Sequence, residues 1–146
     1  MRLVLIAVLL IFSASYSHAQ STQSGGQFKM LGEWEVHYIA FPSTFIQPSV
    51  AKAYGVIRSE SKALINISVL ATDQAKTAQQ VQISGFAKNL LGNNKQLTFK
   101  QVVEGDAIYY LSQLDYYNED VYRFELNIKQ GNEQQVLKFQ QKFYVD

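Results

Sequence analysis

Apolar and polar residues alternate with a period of two along most of the chain after residue 33. The clearest run is YRFELNIK at residues 122–129, in which every second side chain is apolar. A second run, LKFQQKFYV, covers residues 137–145 and follows the turn-forming sequence QGNE at residues 130–133. This alternation is typical of strands that bury one face in a sheet. It predicts a β-hairpin in the C-terminal part of the chain.

Five further strand patterns precede this hairpin, at residues 34–38, 63–70, 81–89, 97–103 and 107–114. Glycine- and asparagine-containing turns separate several of them, such as LLGNN and EGD. Seven strands joined by polar turns predict an all-β fold, an immunoglobulin-like antiparallel β-sandwich with one short helical crossover. A small β-barrel is the alternative, because the period of two is the same in both architectures.

The sequence FPSTFIQPSVAKAYG at residues 41–55, called the crossover below, joins the first two predicted strands. Pro48 suits the first position of a short helix, where its missing N–H has no intrahelical partner to lose. Gly55 suits the left-handed conformation that often ends a helix. We expect the crossover to cover one end of the sandwich, with Phe41, Phe45 and Tyr54 as its apolar plug.

The first 19 residues have the layout of a secretory signal peptide. Arg2 precedes an apolar run at residues 3–12, and Ser17-His18-Ala19 forms a small-x-small cleavage site. The apolar run is too short to span a membrane, which takes roughly 20 residues. We therefore expect export, cleavage after Ala19 and no transmembrane segment in the mature chain.

Residues 20–27 are polar and contain glycine, and they predict a flexible leader ahead of a single domain at residues 28–146. Cleavage removes Arg2 and lowers Lys+Arg from 13 to 12, against 12 Asp+Glu. A net charge near zero argues against nucleic acid as a partner. The chain also lacks cysteine, which excludes thiolate metal sites and thiol nucleophiles.

Side chains that carry catalysis are sparse in the mature sequence. His37 is its single histidine, so an ordinary zinc or copper site lacks a second histidine or a cysteine. No catalytic residue and no cofactor are assigned, and we do not expect an enzyme. The weak candidates for a hard cation such as Ca²⁺ lie in the sequence LDYYNEDVY: Asp115, Asn118, Glu119 and Asp120. Their spacing fits no EF-hand loop, so no metal site is predicted.

The candidate binding residues lie in the first predicted strand and the crossover: Trp34, His37, Tyr38, Phe41, Phe45 and Tyr54. Aromatic side chains supply large contact areas at low entropic cost. We therefore favour a non-enzymatic binding module for an unknown protein or envelope component. A pocket under the crossover for a glycan or an apolar molecule is the alternative. The open sheet edges of a sandwich also make homo-oligomerisation an option.

Four separated sequences resemble one family of small exported proteins from Gram-negative bacteria: GEWEVHYIAFPSTFIQPSVAKAYGVIRS, NISVL, GDAIYY and LKFQQKFYVD. The family is catalogued as domain of unknown function 4426. The resemblance extends from residue 28 to residue 146. It implies an exported, periplasmic β-sandwich, and it carries over no activity, ligand or catalytic residue.

Overall fold

The structure is a computed structural model that describes residues 27–145, which form nine β-strands in two antiparallel sheets. The strands are β1 (Gln27–Leu31), β2 (Trp34–Pro42), β3 (Lys62–Ala71), β4 (Gln82–Asn89), β5 (Asn94–Thr98), β6 (Lys100–Glu104), β7 (Ala107–Asp115), β8 (Asp120–Gln130) and β9 (Glu133–Phe143). The first sheet has the strand order β1-β2-β3-β7-β6, and the second has the order β5-β4-β8-β9. The predicted signal peptide and the predicted leader up to residue 26 lie outside the described residues.

The two sheets face each other across one apolar core. Ile65 and Ile67 of β3 meet Phe124 and Leu126 of β8 in this core, and all four side chains are almost fully buried. These residues occupy the alternating positions that the sequence predicts for the buried face. The predicted all-β sandwich is confirmed, and over residues 27–145 the sheets do not close into a barrel.

Two of the hairpin turns predicted from the sequence depend on glycine. Gly105 joins β6 to β7 and Gly131 joins β8 to β9, with φ angles of 58° and 57°. Glycine reaches positive φ without steric cost because it has no Cβ. A glycine in the first central position is typical of the type II′ turn, whose twist matches that of a two-stranded hairpin.

Two features of the strand pattern differ from the prediction. β1 lies where the sequence predicts no strand, and its Phe28 and Met30 remain exposed beside β2. The predicted single strand at residues 97–103 is two strands, because the chain passes from the second sheet to the first at Phe99. Phe99 packs against the core at this crossing. Each change adds one strand to the seven that the sequence predicts.

The crossover contains a short 3₁₀ helix, Ser43–Phe45, and the helix α1, Pro48–Tyr54. As predicted, Pro48 begins α1, and Gly55 ends it in the left-handed conformation with φ at 68°. The expected position is wrong, because α1 lies on the outer face of the first sheet and not over one end of the sandwich. Within residues 27–145 no helix has the length and apolar character that crossing a membrane requires.

Candidate binding groove on the outer face of the first sheet

The outer face of the first sheet is apolar where α1 crosses it. Leu64 of β3 and Leu111 of β7 point away from the core, yet they are only 3% and 9% exposed. Val50 and Tyr54 of α1 lie over them. The second face of an antiparallel sheet usually turns polar side chains to solvent. The two leucines therefore mark a face that α1 has taken out of water.

Two adjoining cavities form an open groove along this face. One has a volume of about 500 Å³ and lies between β2, β3, β7 and the loop that connects β3 to β4. The other has a volume of about 350 Å³ and lies beside α1. Asn66 of β3 and Tyr109 of β7 line both cavities. We call this surface the outer groove and define it by six lining residues: His37, Phe41, Tyr54, Asn66, Lys76 and Tyr109.

Asn66 places an unpaired amide oxygen where the two cavities meet. Its Oδ1 atom is buried and has no hydrogen-bond partner among the described residues. Its neighbours on the adjacent strands are Ile39 and Leu111, whose side chains cannot donate a hydrogen bond. Leaving such an acceptor unsatisfied costs about 1–3 kcal/mol. A bound group with an N–H or O–H donor would remove this cost.

Charged side chains surround the end of the outer groove next to the β3–β4 loop. Lys76 Nζ lies 3.1 Å from Oε2 of the buried Glu35, and the hydrogen bond from Lys76 lowers the pKa of Glu35. His37 Nε2 lies 3.3 Å from Oε1 of Glu35. The approach lacks hydrogen-bond geometry, so this buried Nε2 atom is also without a hydrogen-bond partner. Within residues 27–145, the two buried side-chain atoms without a hydrogen-bond partner, His37 Nε2 and Asn66 Oδ1, therefore both lie in the outer groove.

Tyr54 fastens α1 to β6 at the opposite end of the outer groove. Its hydroxyl donates a hydrogen bond to Oε2 of Glu104, and this bond raises the pKa of Tyr54. Lys100 Nζ donates a hydrogen bond to the backbone carbonyl of Tyr54 at 3.2 Å. Beyond α1, the Gln113 side chain bonds both the N–H and the carbonyl of Ile57, at 2.9 and 2.8 Å. These bonds make α1 a fixed wall of the outer groove.

An exposed phenylalanine stands beside each end of the outer groove. Phe28 is 55% exposed, and its ring centroid lies 5.4 Å from that of His37. Phe45 is 70% exposed, and its ring lies parallel to that of Phe41 at 6.3 Å. Phenylalanine is enriched in the cores of protein interfaces. The two rings extend the apolar surface of the outer groove beyond its rim.

Four of the six candidate binding residues lie on this face: His37, Phe41, Phe45 and Tyr54. Phe45 is exposed at the margin, so the predicted apolar plug at one end of the sandwich is wrong for this residue. Trp34 and Tyr38 belong to the core between the sheets, at 3% and 7% exposure. The Tyr38 ring packs 4.6 Å from that of Phe139 in the second sheet. Both side chains stabilise the fold, and Tyr38 also borders the larger cavity of the outer groove.

Sequence reasoning did not single out Asn66, Tyr109 or Phe28 as site residues. A signal for the covered face exists in β3, where Leu64 and Leu70 occupy outward positions that a solvent-facing strand fills with polar residues. The pair Tyr109-Tyr110 carries a weaker signal, because one of two successive rings must leave the core side. The sequence gives no signal for Phe28, since the five residues of β1 are too few to show a hydrophobic period.

The four weak metal candidates in the sequence LDYYNEDVY have structural roles in the turn between β7 and β8 and in the contacts beside it. Asp115 pairs with a lysine of β3 at 2.7 Å, which lowers the pKa of Asp115. Asn118 Oδ1 accepts a hydrogen bond from a backbone N–H near the C-terminus at 2.9 Å. Asp120 Oδ2 accepts one from the backbone of its own turn at 3.3 Å, and Glu119 takes the turn's positive φ of 62°. Over residues 27–145, no three His, Cys, Asp or Glu side chains are grouped so that they could hold a metal ion.

The fold and the outer groove define a class of protein, a small antiparallel β-sandwich with a recess on the outer face of its larger sheet. Residues 28–146 match the family described as "Domain of unknown function (DUF4426)", and the chain belongs to this family. The resemblance drawn from the sequence is thereby confirmed. No curated protein matches the sequence.

Solved structures share this fold. The crystal structure of a DUF4426 family protein from Pseudomonas aeruginosa PAO1 is 31% identical in sequence, with a TM-score of 0.73 over 84% of this chain and 97% of that chain. A copper-bound variant of FetP from uropathogenic Escherichia coli strain F11 is 14% identical, with a TM-score of 0.57 over 82% of this chain and 95% of that chain. FetP "as isolated", expressed in the periplasm, is 14% identical with a TM-score of 0.55, over 82% and 92% of the two chains. The likeness to FetP concerns the fold alone.

Proposed function

We propose that this protein is a non-enzymatic binding module of the bacterial periplasm, which holds an apolar segment of a protein partner in the outer groove. The partner is a protein of the cell envelope. The observation that carries the proposal is one continuous apolar surface. It consists of the mainly apolar outer groove and of two exposed rings that contact its lining, Phe28 against His37 and Phe45 against Phe41. Soluble proteins seldom leave large aromatic rings exposed around a recess unless another molecule covers them.

The shape and charge of the surface favour a protein segment. The two cavities lie side by side and are open to solvent, so an elongated chain can enter where a compact molecule would leave half of the space empty. Charged residues flank the apolar surface: Asp106 and Lys76, the latter paired with Glu35, border the larger cavity, and Glu104 and Lys100 lie beside α1. An apolar centre with a polar rim is the usual anatomy of a protein interface.

Binding suits this site better than catalysis. The Glu35 carboxylate lies 3.3 Å from Nε2 of His37 but is also paired with Lys76, and Glu104 accepts a hydrogen bond from Tyr54, so neither carboxylate is dedicated to His37. General acid–base catalysis by histidine usually relies on a second group that orients or activates it. The predicted signal peptide supports export, and with it a partner in the envelope.

Site-specific photo-crosslinking in living cells tests the proposal. A photoreactive phenylalanine analogue replaces Phe28 or Phe45 in the exported protein, and the control carries it at Tyr144, which is similarly exposed at 53% but follows β9. We expect one discrete adduct from the two groove positions and none from Tyr144. Mass spectrometry then names the partner. An equal pattern of adducts at all three positions, or none from a folded exported protein, contradicts the proposal.

The unpaired Oδ1 atom of Asn66 supports a second candidate, a small apolar molecule that carries one N–H or O–H donor. The larger cavity, at about 500 Å³, has the size of a small-molecule site. Native mass spectrometry of protein taken from the periplasm checks this candidate. A bound mass that disappears in Asn66→Leu favours the small molecule, whereas an unliganded spectrum together with a crosslinked partner favours the protein segment.

A further inference from the structure

The two sheets have four edge strands, and three of them are shielded. β1 and β9 lie beside each other, and Lys29 of β1 donates a hydrogen bond to the carbonyl of Lys138 on β9. β5 lies against β7, and Lys95 of β5 donates a hydrogen bond to the carbonyl of Asp115 at 2.7 Å. Lysines at sheet edges are a common protection against unwanted strand pairing. The fourth edge, β6, differs because its lysine, Lys100, bonds α1 on the outer face and not a strand of the other sheet.

β6 exposes an apolar side chain at its edge. Its sequence is KQVVE, and four of its five residues are exposed, including Val103 at 61%. Lys100 and Glu104 point to the outer face, where both contact Tyr54. Neither charge therefore projects along the edge, where it could repel an incoming strand.

The β6–β7 hairpin determines which backbone groups of β6 are free. The turn has two residues and closes with the pair Glu104–Ala107. The closing pair of such a hairpin is hydrogen-bonded, and hydrogen-bonded pairs recur at every second residue. Lys100 and Val102 therefore also turn their backbone groups to β7. The N–H and C=O groups of Gln101 and Val103 face the open edge.

This pattern makes β6 complementary to itself. In an antiparallel pair centred on Val102, each Lys100 lies opposite Glu104 of the other copy, and the two Val102 side chains face each other. Gln101 of one copy exchanges both of its backbone hydrogen bonds with Val103 of the other, which gives about four bonds across the edge. The two charge pairs are attractive in this register, and a shift by one residue removes them.

We propose that β6 is a homodimerisation edge, where a second copy of this chain extends the first sheet by two-fold symmetric pairing about Val102. A two-fold axis needs one self-complementary patch, which β6 supplies. Five residues bury little area, so the dimer is weak and its population rises with protein concentration. The β6 edge adjoins the outer groove, because Val102 and Glu104 line the cavity beside α1, but the pairing does not require a partner in the groove.

Single cysteines test the register, because the chain has no cysteine of its own. In Val102→Cys the two sulfurs meet across the two-fold axis, at a separation that suits a disulfide. In Val103→Cys each cysteine faces Gln101 of the other copy. Under mild oxidation we expect a covalent dimer from Val102→Cys and little from Val103→Cys, although Val103 is the more exposed residue. Equal crosslinking of the two variants, or none from a folded Val102→Cys protein, overturns the proposal.

Charge reversal gives a second test that does not rely on cysteine. Lys100→Glu and Glu104→Lys each place like charges opposite each other, so each variant alone should raise the dissociation constant at least roughly tenfold in sedimentation equilibrium. An equimolar mixture of the two should recover association, since the heterodimer pairs glutamates with lysines. Val103→Lys should also prevent association, whereas Val136→Lys, on the β9 edge, should not. A wild-type protein that is monomeric at every concentration, or a mixture that stays monomeric, contradicts the proposal.

Discussion

The outer faces of the two sheets differ in kind although both belong to one sandwich. On the second sheet, Arg123, Glu125 and Asn127 of β8 point to solvent, and Lys138 of β9 lies 4.0 Å from Glu125. On the first sheet, the corresponding face carries the outer groove, with two buried leucines under α1. The outer face of the second sheet is largely polar and solvated, and its open cavity of about 400 Å³ is lined mainly by charged side chains around Phe86. The outer face of the first sheet is a second, smaller apolar layer outside the main core.

The difference shows that a short helix lying on a sheet can form one wall of a groove on a face that would otherwise be flat and solvated. α1 has only seven residues, too few for a stable isolated helix. Its hydrogen bonds to Lys100 and Glu104 of β6 keep it in place, and Leu64 lines the same cavity as the helix. Because α1 covers only part of the face, the uncovered part is left as a groove between the helix and the β3–β4 loop.

Truncation of a leucine under α1 should give the largest effect. We expect Leu64→Ala to lower the free energy of unfolding by about 3 kcal/mol, because it leaves a cavity beneath the helix. The matched change on the other face, Glu125→Ala, should alter it by less than about 0.5 kcal/mol. Urea denaturation of both variants measures the contrast. Equal losses would show that the two faces are energetically alike.

Asn66→Leu should have an intermediate effect of opposite sign. Leucine has nearly the shape of asparagine and no polar atom, so the variant removes the unpaired acceptor and should raise the free energy of unfolding by about 1 kcal/mol. The same change should weaken binding in the outer groove. Asn127→Leu on the solvated face is the control, where little change in stability is expected. A destabilised Asn66→Leu would mean that Oδ1 has a partner in solution.

Acid should produce the smallest effect, and it should act on the charged end of the outer groove. Lys76 lowers the pKa of Glu35 in the folded protein, so the stabilisation is complete above the ordinary glutamate pKa of about 4.3. It disappears as the pH falls through the lower pKa of the folded state. Melting temperatures of wild type and Glu35→Gln between about pH 7 and pH 3 should converge on acidification. Parallel curves would exclude this contribution.

The sequence predicts the solvated half of the molecule well. In β8 and β9 one face is buried and the other is exposed to solvent. Hydrophobicity therefore alternates along both strands, and the sequence predicts both strands and the turn between them. The helix was also predictable, because Pro48 and Gly55 are local signals that do not depend on tertiary contacts.

The outer groove and the crossing at Phe99 were less accessible to prediction. The period of two places Trp34 and Tyr38 on one face of β2 and Phe41 on the other, but it does not show that α1 covers part of the second face. The Oδ1 atom of Asn66 lacks a hydrogen-bond partner because its cross-strand neighbours are Ile39 and Leu111, and both of them are distant from Asn66 in sequence. Contacts between residues that are distant in sequence arise from packing, and the hydrophobic period of a single strand does not reveal them.

The crossing at Phe99 has a mechanical consequence. β5 and β6 belong to opposite sheets, yet one residue separates them, and its ring is set against the core. Any sliding of one sheet over the other must drag this ring out of its packing. The two sheets are therefore held in fixed register where β5 continues into β6. If the groove binds a protein segment as proposed, the loss of conformational freedom on association should fall mainly on that segment.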